Sequence, residues 1–178
     1  MIEDVWSVPV RFSEVDRKTQ VLNLSASEAQ CRALAKWLDL PTVGLFEASV
    51  QISAWLDGMS LTAQWRAEFD QTCGITLEPV PAQLSEAFEM RFLPADSPNA
   101  PEPSEDHLVD PDAPDPPDLI EEPAIDVISY LVEQFALNLN PFPRKPGAIF
   151  QPVEDEKITP FAVLANLKAK RQSDQGDG

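Results

Sequence analysis

Catalysis or metal binding would have to start from few side chains in this chain: two cysteines, Cys31 and Cys73, one histidine, His107, and several clustered carboxylates. His107 lies in an acidic, proline-rich run where nothing rigid would hold it within hydrogen-bond reach of a substrate. Carboxylate pairs such as Glu121-Glu122 and the triplet Glu154-Asp155-Glu156 are what an acidic composition produces as solvated surface. The six glycines fall in none of the spacings that cradle phosphate. Cys73 is the most suggestive group, because Thr72-Cys73-Gly74 reads as a tight turn, a place where paired thiols grip zinc. Its partner position, three residues upstream, holds Asp70, and Cys31 belongs to a helical pattern, so the four ligands of a structural zinc site are not in hand. Both cysteines are expected to be free thiols, and no catalytic residue, metal or cofactor is expected.

Composition narrows the partners. The 30 acidic against 13 basic side chains give a net charge of −17, which opposes attraction to a phosphate backbone and favours basic proteins. The opening MIEDVWSVPVRF has no basic region followed by an apolar one, and no run approaches the roughly 20 apolar residues of a membrane span, so a cytoplasmic protein without membrane contact is expected.

The elements that must position these groups follow from periodicity. Val5 to Phe12 and Val21 to Leu24 read as short strands. Ser25-Ala-Ser-Glu28 reads as a capping box opening a helix with Cys31, Leu34, Ala35 and Leu38 on one face, stopped by Pro41. From Phe46 to Phe69 apolar and polar residues alternate on both sides of Asp57-Gly58, the pattern of a hairpin with a type I′ turn. Trp55 falls on its polar side, as a contact surface or beneath a covering element. Asp70 to Gly74 turns the chain, Ile75 to Val80 returns, and Leu84, Phe88, Met90 and Phe92 mark a last strand. Ile125, Ile128, Val132, Phe135 and Leu139 mark a helix of about four turns ending before Pro141.

The expected fold is α+β: an antiparallel β-meander, either curled into a barrel or covered by helix, packed with two to three helices and interrupted by a disordered acidic arm. Residues 1–93 would form a sheet-rich core with one helix. Residues 94–123 would be a linker, since they hold 10 of the acidic residues, 9 of the 18 prolines and no Lys or Arg. Residues 124–172 would be a helical part packing on the core, and 173–178 a disordered tail. Within 124–172, Thr159 caps a last helix with Pro160 at its first position and Lys168, Lys170 and Arg171 in its closing turns.

That last segment, TPFAVLANLK from Thr159 to Lys168, closely resembles the closing motif of the bacterial YceD family. The Cys73-Gly74 turn, the acidic stretch and the helix opening at Ile125-Asp126 agree with that resemblance. Many members carry Cys-x-x-Cys at this turn, whereas here Asp70 replaces the first cysteine. The resemblance implies a non-enzymatic protein needed for accumulation of large-subunit ribosomal RNA. With that role, the acidic charge points to a basic large-subunit ribosomal protein or a pre-ribosomal particle as partner, with ribosomal RNA touched indirectly. Phe161, Leu164 and Leu167 would then form an apolar docking stripe, and Lys168, Lys170 and Arg171 would touch RNA or acidic protein. The other reading is direct binding of ribosomal RNA by the sheet to guide its processing. Residues 1–93 hold 7 basic and 13 acidic side chains, so this would need a local basic patch.

Overall fold

A computed structural model describes residues 5–15, 19–101 and 115–150, and the chain divides into two units, 1–146 and 147–178. Of the second unit only the irregular residues 147–150 are described. The first unit runs β1 (Pro9–Arg11), a 3-10 turn (Phe12–Glu14), β2 (Gln20–Ser25), α1 (Glu28–Trp37), β3 (Thr42–Trp55) and β4 (Gly58–Thr72). It continues with β5 (Pro79–Pro94), β6 (Asp118–Ile120), β7 (Ala124–Asp126) and α2 (Val127–Asn138). Five strands form one sheet in the order β2-β3-β4-β5-β6, and β1 pairs with β7 in a separate ribbon.

Alternation along β3 and β4 sets the register of the sheet. Phe46 lies opposite Ala67, Ala48 opposite Trp65, Val50 opposite Ala63 and Ile52 opposite Leu61, and all eight are buried. Their neighbours Ser49, Gln51, Thr62, Gln64 and Arg66 face out, so the strand period of two produces one apolar face and one polar face. The apolar face is covered by helix rather than closed into a barrel, and β2 and β6 stay unpaired with each other. From α2, the ring of Phe135 reaches those of Phe69 at 5.0 Å, Trp65 at 5.5 Å and Phe46 at 5.6 Å. Leu34 and Ala35 of α1 join the same core. The architecture is α+β. Its sheet is mixed and not a pure meander, because β6 joins β5 in parallel.

Several expectations shift by a few residues, each for a visible reason. The sheet ladder runs one residue beyond Ser25, with Ala26 N–H donating to the Phe46 carbonyl at 2.9 Å, and this delays the helix. Ser27 is therefore the cap, and its box partner is Gln30, not Glu28: the Gln30 amide donates to Ser27 Oγ, and the Ser27 amide donates to Gln30 Oε1 at 2.8 Å. Only Pro9–Arg11 of the expected first strand pairs, since β7 offers just three residues. Ile75 to Glu78 belong to a turn, and the two strands expected from Ile75 onward are one strand of 16 residues. The ends of the acidic stretch enter the sheet, Pro94 closing β5 and Asp118–Ile120 forming β6, while residues 102–114 are outside the described residues.

The hairpin turn is Leu56-Asp57, one residue earlier than Asp57-Gly58, because Trp55 already pairs with Gly58. Only Leu56 of the pair takes a positive φ, at 54°, which is the II′ rather than the I′ pattern. Asp57 accepts from Ser97 Oγ at 2.8 Å and Asn99 Nδ2 at 2.9 Å, tying the chain after β5 to the hairpin tip.

Asp126 joins three elements. One carboxylate oxygen accepts the Ile128 amide at 3.0 Å, capping α2, and the Val8 amide at 2.9 Å, fastening the chain before β1. Asp126→Ala removes that acceptor and both of its bonds and is expected to cost about 1–2 kcal/mol, seen as a lower urea midpoint at unchanged slope. Asp126→Asn, which keeps an acceptor oxygen, should recover most of that loss.

Candidate functional site

The turn joining β4 to β5 is closed by backbone bonds: Cys73 N–H donates to the Glu78 carbonyl at 2.9 Å, and Leu77 N–H donates to the Cys73 carbonyl at 3.0 Å. This leaves the amides at its crest aimed at the Cys73 sulfur. Sγ accepts from Ile75 N and Thr76 N at 3.4 Å each, and from Lys145 N at 3.3 Å. Lys145 is 72 residues away in sequence, so the sulfur bridges two segments. Further bonds seat the second segment: Gly74 N–H on the Pro143 carbonyl at 2.9 Å, Gln71 Nε2 on the Asn140 carbonyl at 3.0 Å, and Lys145 Nζ on Glu78 Oε2 at 2.8 Å.

These donors decide the charge of the sulfur. Hydrogen bonding from the Thr76 side chain, then the amides of Lys145, Thr76 and Ile75, bring the Cys73 thiol down from 9.0 to about 6, outweighing the burial that pushes the other way. Cys31 shows the contrasting case, where burial raises the thiol. Cys73 has no exposed surface, so its thiolate is placed to accept hydrogen bonds from two chain segments rather than to attack a substrate. Together with Gln71 and Gly74 it fastens residues 140–145, which follow α2, to the turn that ends β4.

The sign of the pH dependence follows. An acid whose folded value is depressed stabilises fully above its unfolded value and loses that contribution as pH falls through the folded value. The gap in urea midpoint between wild type and Cys73→Ala should therefore be widest near pH 9 and narrow steadily toward pH 6. A gap independent of pH would mean that the sulfur acts as a neutral thiol.

Asp70, three residues before Cys73, is engaged elsewhere: the Thr42 hydroxyl donates to its carboxylate at 2.7 Å. Among the described residues no three His, Cys, Asp or Glu side chains gather as a metal set. Trp55 is half-buried, with the Arg91 guanidinium over its ring at 5.5 Å, so a side chain of β5 reaches across β4 to cover it. Glu121 and Glu122 are exposed between β6 and β7. His107 and Glu154 to Glu156 are outside the described residues, as are all six of the expected docking residues, Phe161, Leu164, Leu167, Lys168, Lys170 and Arg171. The part of Lys145, Thr76 and Glu78 in holding Cys73 was missed from sequence, where only the turn and its thiol were visible.

A family profile described as "Large ribosomal RNA subunit accumulation protein YceD" matches residues 61–168, from the middle of the hairpin to the last residue of the TPFAVLANLK motif. The chain belongs to the YceD family. No curated protein and no solved structure matches it. The family's description ties the chain to accumulation of large-subunit ribosomal RNA. The matched span contains β4 from Leu61 onward, β5, α2 and the Cys73 turn, so the sulfur-fastened segment lies within the family's own unit. Among the described residues no helix is long and apolar enough to cross a membrane.

Proposed function

We propose that this chain is a non-enzymatic factor that supports accumulation of large-subunit ribosomal RNA by contacting a basic ribosomal protein or a pre-ribosomal particle during assembly. The observation that carries the reading is the family match across residues 61–168, which includes the C-terminal motif. The net charge of −17 supports a basic partner, because complementary charge speeds encounter and penalises wrong partners. The acidic stretch attracts that partner, and Phe161, Leu164 and Leu167 dock, with Lys168, Lys170 and Arg171 completing the contact.

Direct binding of ribosomal RNA by the sheet has less support. The two arginines on its polar face are each paired with glutamate, Arg66 with Glu47 at 2.6 Å and Arg91 with Glu89 at 3.0 Å, which lowers their pull on phosphate. Gradient sedimentation of lysates containing the full chain or residues 1–158 tests the docking role. The full chain should travel with large-subunit precursors and the truncation should stay near the top. Undiminished co-sedimentation of the truncation would remove the C-terminal motif from the contact.

A further inference from the structure

The strand β5 has 16 residues, yet among the described residues only Phe92, Leu93 and Pro94 have a strand neighbour, β6, on the side away from β4. Two contacts fix which backbone groups face which way. Ala95 N–H donates to the Ile120 carbonyl on the β6 side, while the Phe92 carbonyl lies against Gly58 on the β4 side. Backbone groups alternate along a strand, so Gln83, Ser85, Ala87, Glu89 and Arg91 turn their N–H and C=O toward the open edge. The parallel pairing of Phe92 with Asp118 takes the Arg91 carbonyl, which accepts from the Asp118 amide, and no other backbone hydrogen bond among the described residues uses these groups there. Pro79 and Pro81 share this parity and have no N–H to offer, which blunts the edge at its start and leaves it open from Gln83 onward.

Two further features mark what the edge would accept. Leu84, Phe88 and Met90 pack on the core but remain half-exposed, a row at strand spacing that an added strand would cover with its own alternate side chains. Phe88 and Met90 also line a trough of about 610 Å³ bounded by Asp115, Asp118 and Gln134. The rim is acidic, with Glu86, Glu89, Asp115 and Asp118 against Arg91, which Glu89 already holds.

We propose that the edge of β5 from Gln83 to Arg91 takes an extended basic segment of a partner protein as an added strand. Main-chain bonds to Gln83, Ser85, Ala87 and Glu89 and to the Arg91 amide give affinity, apolar side chains over Leu84, Phe88 and Met90 give register, and the acidic rim selects cations. A second copy of the chain is a poor occupant, because it would bring a second acidic rim and another net charge of −17 to the same edge. The basic character of the partner rests on the function proposed above; the mode of binding rests on the edge alone.

The test uses the full chain and a fluorescent peptide of about ten residues alternating Lys and Val, the length of an ordinary strand. Three arms accompany it: the same peptide with alternate amides N-methylated, a Glu/Val version, and the protein variant Ala87→Pro, which removes one outward N–H and leaves the bonds to β4. Wild type should bind the Lys/Val peptide, with affinity about tenfold lower for the N-methylated peptide and for Ala87→Pro, and no binding of the Glu/Val version. No binding by wild type, or equal binding of the N-methylated peptide, overturns the proposal. The peptide comparison needs no mutation and decides even if Ala87→Pro fails to fold. Self-association of wild type that Ala87→Pro abolishes would assign the edge to a second copy and likewise overturn it. Co-sedimentation separates the two claims: if folded Ala87→Pro still travels with precursor particles as wild type does, the edge proposal falls and the assembly role stands. If wild type does not travel with them, the assembly role falls whatever the peptide does.

Discussion

Phe135→Ala is expected to lower the unfolding free energy by about 3–5 kcal/mol, a large share of what a domain of this size has. Phe135 is fully buried and is the side chain through which α2 meets the sheet, with rings from β3 and β4 on three sides. Truncation leaves a cavity lined by Phe46, Trp65 and Phe69, large aromatics that cannot collapse into it without leaving their rotamers. Because Leu131, Val132 and Ile128 of the same helix are also fully or almost fully buried, loosening Phe135 should lift that whole face. Urea titration followed by both far-ultraviolet circular dichroism and tryptophan fluorescence checks it. The fluorescence transition should move to much lower urea, since Trp65 lies 5.5 Å from the lost ring. Phe135→Leu should recover roughly half the loss, keeping most of the volume.

Gly58→Ala is expected to rival that effect although it adds only one methyl group. A Cβ at position 58 would run into the backbone carbonyl of Phe92, where β5 passes β4, and a backbone atom cannot swing aside as a side chain can. Either the end of β5 shifts, pulling fully buried Phe92 and Leu93 out of place, or the hairpin tip opens. The expected cost is about 3 kcal/mol, at the top of the usual range for overpacking because the obstacle is main chain. Thermal unfolding would show it. A Gly58→Ala protein as stable as wild type would mean that β5 does not approach the tip as described. Gly44 is the contrast, since a Cβ there meets its nearest neighbour at an ordinary 3.7 Å.

Gly58 also shows what sequence can and cannot disclose. Asp-Gly between alternating runs is a strong hairpin signal, and the hairpin is there with its apolar face buried. The reason for the glycine is different, however: close approach of a strand that arrives some 30 residues later, which no local pattern carries. The same limit applies at β6, where Asp118-Leu119-Ile120 sits in a run whose prolines and acids read as linker and whose pairing with β5 is parallel and long-range. Ser25 and Ser27 compete as helix caps on equal local terms, with Glu28 and Gln30 each three residues on. The ladder bond from Ala26 decides between them.

At the candidate site the turn and its thiol were legible, because Thr-Cys-Gly is short-range turn chemistry. That the sulfur would be held by Lys145 was not, since the proline-rich segment carrying it has no periodicity that would bring it to β4. The open edge of β5 was half legible: Pro79 and Pro81 signal an edge strand, but which edge stays uncovered depends on where β6 stops.

The central claim, a contact made through protein rather than through bare RNA, is tested most directly by one titration. Purified full-length protein is added to isolated large-subunit precursor particles and, in parallel, to the RNA extracted from the same particles, across a range of salt concentrations. The account predicts saturable binding to the particles that weakens as salt rises, and no binding to the extracted RNA. Equal affinity for the extracted RNA, with the steep salt dependence of phosphate contacts, would contradict it.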